Sequence, residues 1–512
     1  MPIDLPTEPP VVPYIAASAR PLELSVGFET LRMRPVDETA SESVGLVGVS
    51  YRQRIAPEWI AGLGFFGAVS GRRDGFLAWG LSGAWQRGYG PWQAEAGLFV
   101  GGGGGGPNWV GSGLMLRPHA ELAYFWGDVG IGLGASHVRF PDGQVASSQI
   151  YGALKWRDSA YFGPSAGGPA AADAGLLAQA MPAEYAAIAG RYRMRNGAPG
   201  KGGVGNAADM RYAGFAWRRT LSEGVLGGQP YALLTAAGAA GGGYDGYAEV
   251  LGGAGLQWPV AGPSSLRLRA ELAAGMAGAG AAVDTGGGLI AKASGGGTWQ
   301  LGPRLSLSLM AGLLESRGHF KANELRLELA HTGWEAVPGA RRPAAADAPA
   351  GLVWAPWEVS AAVVAQPRMP RLPRVGYADG RVEPVDVLAL KGARELGGGW
   401  RAVGQVASAV HGDAGGYAAG TFGLGWLSAP LAAGGLRLGG EAQIGAAGGG
   451  LVSVSGGAVG QAQVQARYPL SRDWSVQLDA GALRSFKGAL STPLVGLSAV
   501  YSFSRLEAVA SR

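Results

Sequence analysis

The sequence predicts an all-β chain of about 24 antiparallel strands, arranged as three tandem units of about eight. Three observations predict it. Similar segments return at a spacing near 170 residues, apolar and polar residues alternate with period two, and short connections alternate with long ones.

The repeat is seen by comparing Asp74-Gly75-Phe76 through Gly105, Asp245-Gly246-Tyr247 through Gly280, and Gly415-Gly416-Tyr417 through Gly450. Each segment reads as a strand, a short turn, a second strand with one glutamate (Glu95, Glu271 or Glu441) and a glycine-rich loop. The starts lie 171 and 170 residues apart. Arg32-Met33, Arg193-Met194 and Arg368-Met369 close the first strand of each unit, while Asp128, Pro303 and Asp473 occupy matching turns. The units therefore run over 22–157, 184–333 and 356–504. Ala- and Pro-rich linkers cover 158–183 and 334–355, and both carry Pro-Ala-Ala-Ala-Asp. Residues 1–21 read as an N-terminal periplasmic segment and 505–512 as a C-terminal tail. The alanine-rich stretch 170–181 is compatible with a short helix.

In the first unit the alternating runs are 22–34, 44–55, 59–70, 75–87, 92–100, 113–126, 129–140 and 147–157. Their lengths suit strands that cross a bilayer at a tilt. Alternation is clearest where Leu266, Leu268, Ala270 and Leu272 oppose Arg267, Arg269 and Glu271. In the third unit Ala462, Val464, Ala466 and Tyr468 oppose Gln461, Gln463, Gln465 and Arg467.

Composition removes several classes. The chain has 512 residues and no Cys, so disulfide frameworks and thiolate metal sites are excluded. A formal net charge of +5 is small for this length and gives no sign of nucleic-acid binding. No run of apolar residues is long enough for a membrane-spanning helix. Met1, Pro2, Asp4, Pro6 and Glu8 lack the basic start and apolar run of a signal peptide, so a signal is expected to have been removed or replaced.

A soluble β-sandwich also alternates, so two further features decide between sandwich and membrane barrel. Connections after even strands are short, as in Ala56-Pro57-Glu58, Gly88-Tyr89-Gly90-Pro91 and Gly127-Asp128, whereas 35–43, 101–112 and 196–208 are long. Membrane barrels place short turns on the periplasmic side and long loops outside. Twelve of the 16 Trp residues fall at strand ends beside the short turns or linkers: Trp59, Trp85, Trp92, Trp126, Trp156, Trp217, Trp258, Trp299, Trp357, Trp400, Trp426 and Trp474. Indoles concentrate where hydrocarbon meets water, so this one-sided set predicts an aromatic girdle.

The segment Val495-Gly496-Leu497-Ser498-Ala499-Val500-Tyr501-Ser502-Phe503 resembles the aromatic-terminated last strand of bacterial outer-membrane β-barrel proteins, a general class with no narrower family indicated. The chain departs from that pattern by running on to Arg512. The resemblance implies a transmembrane antiparallel up-and-down barrel in a Gram-negative outer membrane.

Two closures fit the repeat: one barrel of about 24 strands, or three of eight. Small barrels fill their interior with side chains. The inward positions Gly62, Gly64, Gly80, Ser82, Ala84, Gly130, Gly132 and Gly134 would leave one hollow, which favours the single wide barrel.

The expected function is a passive pore or export channel for small solutes or a polymer. A structural barrel with a plugged lumen, or an outer-membrane lipid hydrolase, are the alternatives. Lumen-lining candidates are Glu95, Glu271, Glu441, Arg267, Arg269, Arg437, Gln461, Gln463, Gln465, Arg117 and Glu121, which would set charge selectivity or form a salt-bridged wall. Arg32, Arg193 and Arg368, at the outer ends of first strands, are candidates to pair with lipopolysaccharide phosphates. Expected partners are membrane lipid, lipopolysaccharide and a periplasmic or export-machinery protein.

No enzymatic constellation is evident. Ser136-His137 are strand neighbours and face opposite ways, and His119 shares a face with Glu121 without a placed nucleophile. Gly101–Gly106 lacks the Lys-Ser/Thr of a phosphate loop, and no cofactor or metal site is predicted.

Overall fold

The computed structural model describes residues 18–33, 41–105, 107–163, 179–205, 207–221, 224–260, 265–278, 282–339, 349–372, 381–431, 434–488 and 490–510. Its 24 strands fall into three groups. The first comprises β1 (Ser18–Met33), β2 (Glu42–Ala56), β3 (Trp59–Ser70), β4 (Leu77–Tyr89), β5 (Trp92–Gly104), β6 (Leu114–Trp126), β7 (Val129–Arg139) and β8 (Ala146–Gly163). The second comprises β9 (Ala180–Met194), β10 (Met210–Thr220), β11 (Gln229–Gly241), β12 (Ala248–Pro259), β13 (Leu266–Gly278), β14 (Leu289–Gln300), β15 (Leu305–Ser316) and β16 (Ala322–Ala336). The third comprises β17 (Pro349–Pro370), β18 (Val382–Gly397), β19 (Trp400–His411), β20 (Ala418–Leu427), β21 (Arg437–Gly448), β22 (Ala458–Pro469), β23 (Trp474–Ser485) and β24 (Ser491–Ala510).

Each strand pairs antiparallel with its successor inside its group. The first and last strands of each group then pair with one another. Val26 of β1 lies opposite Leu154 of β8, Ala187 of β9 opposite Leu329 of β16, and Val363 of β17 opposite Leu497 of β24. The hydrogen bonding thus closes three rings of eight strands. This corrects the expectation of one wide barrel, and the physical reason lies in the small inward residues. A Cβ on Gly64 would meet Phe99 at 2.8 Å, one on Gly130 would meet Phe125 at 2.7 Å, and one on Gly132 would meet Glu121 at 2.6 Å. These glycines do not line a wide lumen. They make room for large side chains.

The alanine-rich linkers are partly strand. Residues 158–163 extend β8, Ala180–Ala183 begin β9, 334–336 end β16, and 349–355 begin β17. The rest of the stretch proposed as a helix, up to residue 178, lies outside the described residues, as do 1–17 of the N-terminal segment. Beyond Phe503, β24 continues through the predicted tail to Ala510. Gly101–Gly104 belong to β5, and a single helical turn, α1 (Pro107–Val110), follows.

The rings dock at both ends. At the short-turn end Tyr161, Ala180, Ala336, Leu352, Trp354 and Leu506 bury one another. Arg505 donates to Glu335 at 3.1 Å and Arg394 to Glu507 at 2.6 Å beside them. At the loop end the rings engage head to tail. The Asp74 carboxylate of the β3–β4 loop accepts the Thr285 N–H of the second ring at 3.0 Å and pairs with Lys201 at 2.9 Å. Asp245 of the β11–β12 loop accepts the Gly456 N–H of the third ring at 2.7 Å. The β19–β20 loop returns to the first ring, where Gly415 N–H donates to Gly111 O at 2.9 Å. Each ring presents the connection after its third strand to the next, and the sequence of contacts closes. The approach is close enough to require glycine: a Cβ at Gly278 or Gly448 would stand 2.2 Å from the N of Gly75 or Gly246.

Candidate functional site: three filled lumens and an outer rim

Inward residues of the first ring build an ionic lattice. Arg52 donates to Glu23 at 2.5 Å and to Glu95 at 2.6 Å. Lys155 reaches Glu95 at 2.8 Å and Glu121 at 2.5 Å, and His119 Nε2 lies 2.9 Å from Glu95. Nearer the loops, Arg117 and Ser136 both donate to Glu29, at 2.9 and 2.6 Å.

The second ring is more heavily charged. Arg218 pairs with Glu184, Glu271 and Glu328, Arg269 with Glu184, and Arg326 with Glu271 and Glu328, at 2.5–2.9 Å. Lys292 bridges Glu249 and Glu324 at 3.0 and 2.8 Å, and Tyr192, Tyr212 and Tyr247 donate to the same two carboxylates. In the third ring amides replace many charges. Glu441 accepts from Lys391 at 2.7 Å, Gln463 at 3.1 Å and Gln465 at 3.2 Å, and Arg467 pairs with Glu358.

Toward the loops each lumen is closed by apolar side chains. Leu31, Met33, Phe66, Phe76, Phe99 and Phe140 cap the first; Met210, Tyr247, Val283 and Phe320 the second; Met369, Tyr417, Val452 and Leu490 the third. A cavity of about 50 Å³ remains inside the first ring, among Glu29, Arg52, Glu95, Arg117 and His119. That is room for a few waters.

Among the sequence candidates, Glu95, Arg117, Glu121, Arg269, Glu271, Glu441, Gln461, Gln463 and Gln465 are all buried inside their rings. Arg267 and Arg437 stand exposed at the first turns of β13 and β21 and take no part in the lattices. Sequence reasoning missed Arg52, Lys155, Arg218, Arg326 and Arg401, which supply much of the positive charge. The signal was present in their parity: each shares a face with glycines or small residues on a strand whose other face carries large apolar side chains at mid-strand.

Ser136 and His137 do face opposite ways. Ser136 is buried on Glu29, while His137 Nδ1 meets Ser148 Oγ at 2.8 Å on the outer surface. No carboxylate completes that pair among the described residues.

The outward positions are apolar over most of each strand. Leu63, Leu98, Leu122, Leu133, Leu272, Leu309, Leu327, Val363, Leu424 and Leu497 are all exposed. Trp59, Trp92, Trp126, Trp156, Trp299, Trp400, Trp426 and Trp474 are exposed at the short-turn end, and Trp85, Trp217, Trp258 and Trp357 are half-buried there. Polar inside and apolar outside inverts a water-soluble barrel and matches one bathed in hydrocarbon. The chain folds into antiparallel β-barrels whose outer wall is built to face hydrocarbon. Arg32, Arg193 and Arg368 lie at the opposite, loop end and are exposed on the outward side.

No family model and no curated protein matches the chain. Solved structures similar to it include OccK5 (OpdH) of Pseudomonas aeruginosa, at 11% identity over 95% of this chain and 98% of that one, with a TM-score of 0.23. A BenF-like porin of Pseudomonas fluorescens shows 8% identity over 96% and 99%, with a TM-score of 0.22. The siderophore receptor PirA of Pseudomonas aeruginosa shows 10% identity over 95% and 81%, with a TM-score of 0.26. Likeness at this level carries no inference about what this chain does.

Proposed function

We propose that the chain is a closed-lumen membrane protein, a structural and docking unit whose working surfaces are its loop end, its short-turn end and its lipid-facing wall. The observation that carries this reading is the double seal in every ring, an apolar cap toward the loops above a buried ionic lattice. A solute crossing any ring would have to displace side chains such as Arg326 and Glu328, which are at most 2% exposed and ion-paired at 2.7 Å. Breaking a buried pair costs roughly 3–5 kcal/mol, and several would have to open together.

Passive permeation through the lumens is the competing reading, favoured by the cavity beside the charged side chains of the first ring. Planar-bilayer recording separates the two. The closed-lumen reading expects folded protein to insert without stepwise conductance. Reproducible channels of one size, scaling with protein added, would overturn it in favour of a pore.

A further inference from the structure

The loop-end rim of the second ring carries an arrangement that the closed-lumen function does not use. On β9, Tyr192 is fully buried, so strand alternation turns Arg191 and Arg193 outward, and both are exposed. Arg195, just past the strand, is exposed as well. On β10, Met210 and Tyr212 are buried and Arg211 points out between them. The register sets Arg191 directly opposite Arg211 and Arg193 opposite Asn323 of β16. Like charges face to face on a sheet repel. The nearby carboxylates only partly compensate: Asp209 lies 3.7 Å from Arg191, and Glu315 is shared by Arg195 and Lys321. Among the described residues, Arg193 and Arg211 have no ion-pair partner.

The patch has a defined height. On the adjoining strands the outward residues next toward mid-barrel are Leu325, Leu327 and Leu329, with Phe215 on β10, all exposed. The guanidinium groups therefore sit immediately above the apolar belt, at the level of lipid headgroups. Arginine offers planar, bidentate donors suited to phosphate, and an anion held here would relieve the Arg191–Arg211 repulsion.

The geometry points to a lipid-phosphate site on this rim: Arg191, Arg193 and Arg211, assisted by Asn323, hold a phosphate of an outer-leaflet lipopolysaccharide whose acyl chains lie along β16 and β10. Arg32, opposite Ser43, and Arg368 stand at the corresponding rims of the other rings, where the strand register sets no two arginines face to face. The second ring has the cluster. This inference rests on the membrane-spanning reading of the chain.

The test uses full-length protein folded into vesicles, with insertion scored first by the altered gel mobility of the unheated protein. Bisphosphorylated lipid A, its dephosphorylated form and inorganic phosphate are the probes, and retained lipid is counted by native mass spectrometry. The wild type retains bisphosphorylated lipid A and releases the dephosphorylated form. R191Q/R193Q/R211Q weakens retention by about tenfold or more, while R87Q at the opposite end leaves it unchanged. Millimolar inorganic phosphate does not displace the lipid. Equal retention by the triple variant overturns the site, and displacement by inorganic phosphate alone overturns the lipid as its occupant. Protein that fails to insert contradicts the membrane reading instead.

Discussion

Arg52 and Arg326 owe their places to carboxylates that surround them. Arg52 lies between Glu23 and Glu95, and Arg326 between Glu271, Glu324 and Glu328. Removing either cation strands buried negative charge, so Arg52→Met or Arg326→Met is expected to destabilise the fold by roughly 3–5 kcal/mol. Urea titration of the vesicle-folded protein measures it. Arg87→Ala provides the contrast: its partner Glu58 is 4.0 Å away and both are about half exposed, so the loss stays within about 1 kcal/mol. Equal effects at Arg52 and Arg87 would show that the lattice contributes nothing special. Asp284, in the loop after β13, tests electrostatics outside the membrane. Partial burial pushes its carboxyl up, but hydrogen bonds from His319 and from the Gly286 and His319 N–H groups outweigh that and leave it below the usual value. A lowered carboxyl pKa stabilises the folded loop above the ordinary carboxylate range, and that contribution is lost as pH falls through the lowered value. Protection of the Thr285–Gly288 amides, taken as exchange relative to the intrinsic rate at each pH, should therefore fall on acidification, and Asp284→Asn should give the acid-state protection at neutral pH. A loop whose exchange follows only the intrinsic pH dependence would refute this.

Strands were the most legible elements. Period-two alternation between short turns put the first unit's runs within a few residues of β1–β8, because burial on one face leaves a local trace in sequence. Closure left no such trace. Whether β8 joins β1 or β9 is a contact across more than a hundred residues, and small inward side chains suit a wide lumen as well as a crowded one. Gly132 is small because Glu121 occupies its space, and that partner is visible only in three dimensions. The lattice was half legible for the same reason. Glu95, Glu271 and Glu441 recur along the chain and drew notice, whereas Lys155 and Arg218 gain meaning only from the strands facing them.

At the scale of the whole molecule, three rings are joined by loops that each enter the neighbouring ring's rim. Gly278 and Gly448 permit that entry, so Gly278→Val should part the first and second rings while each stays closed. Electron-spin distances between labels at Leu81 and Leu272 would lengthen and broaden in this variant; an unchanged distribution would contradict the interlock. The central claim, that the chain closes on itself three times, has a more direct test. The protein has no Cys, so an engineered pair reports without background. Val26→Cys with Leu154→Cys joins register partners on β1 and β8, and Val363→Cys with Leu497→Cys does the same on β17 and β24. Three closed rings predict efficient intrachain disulfides in both variants after mild oxidation of the membrane-folded protein. Free thiols in both, from protein that has folded and inserted, would contradict the account.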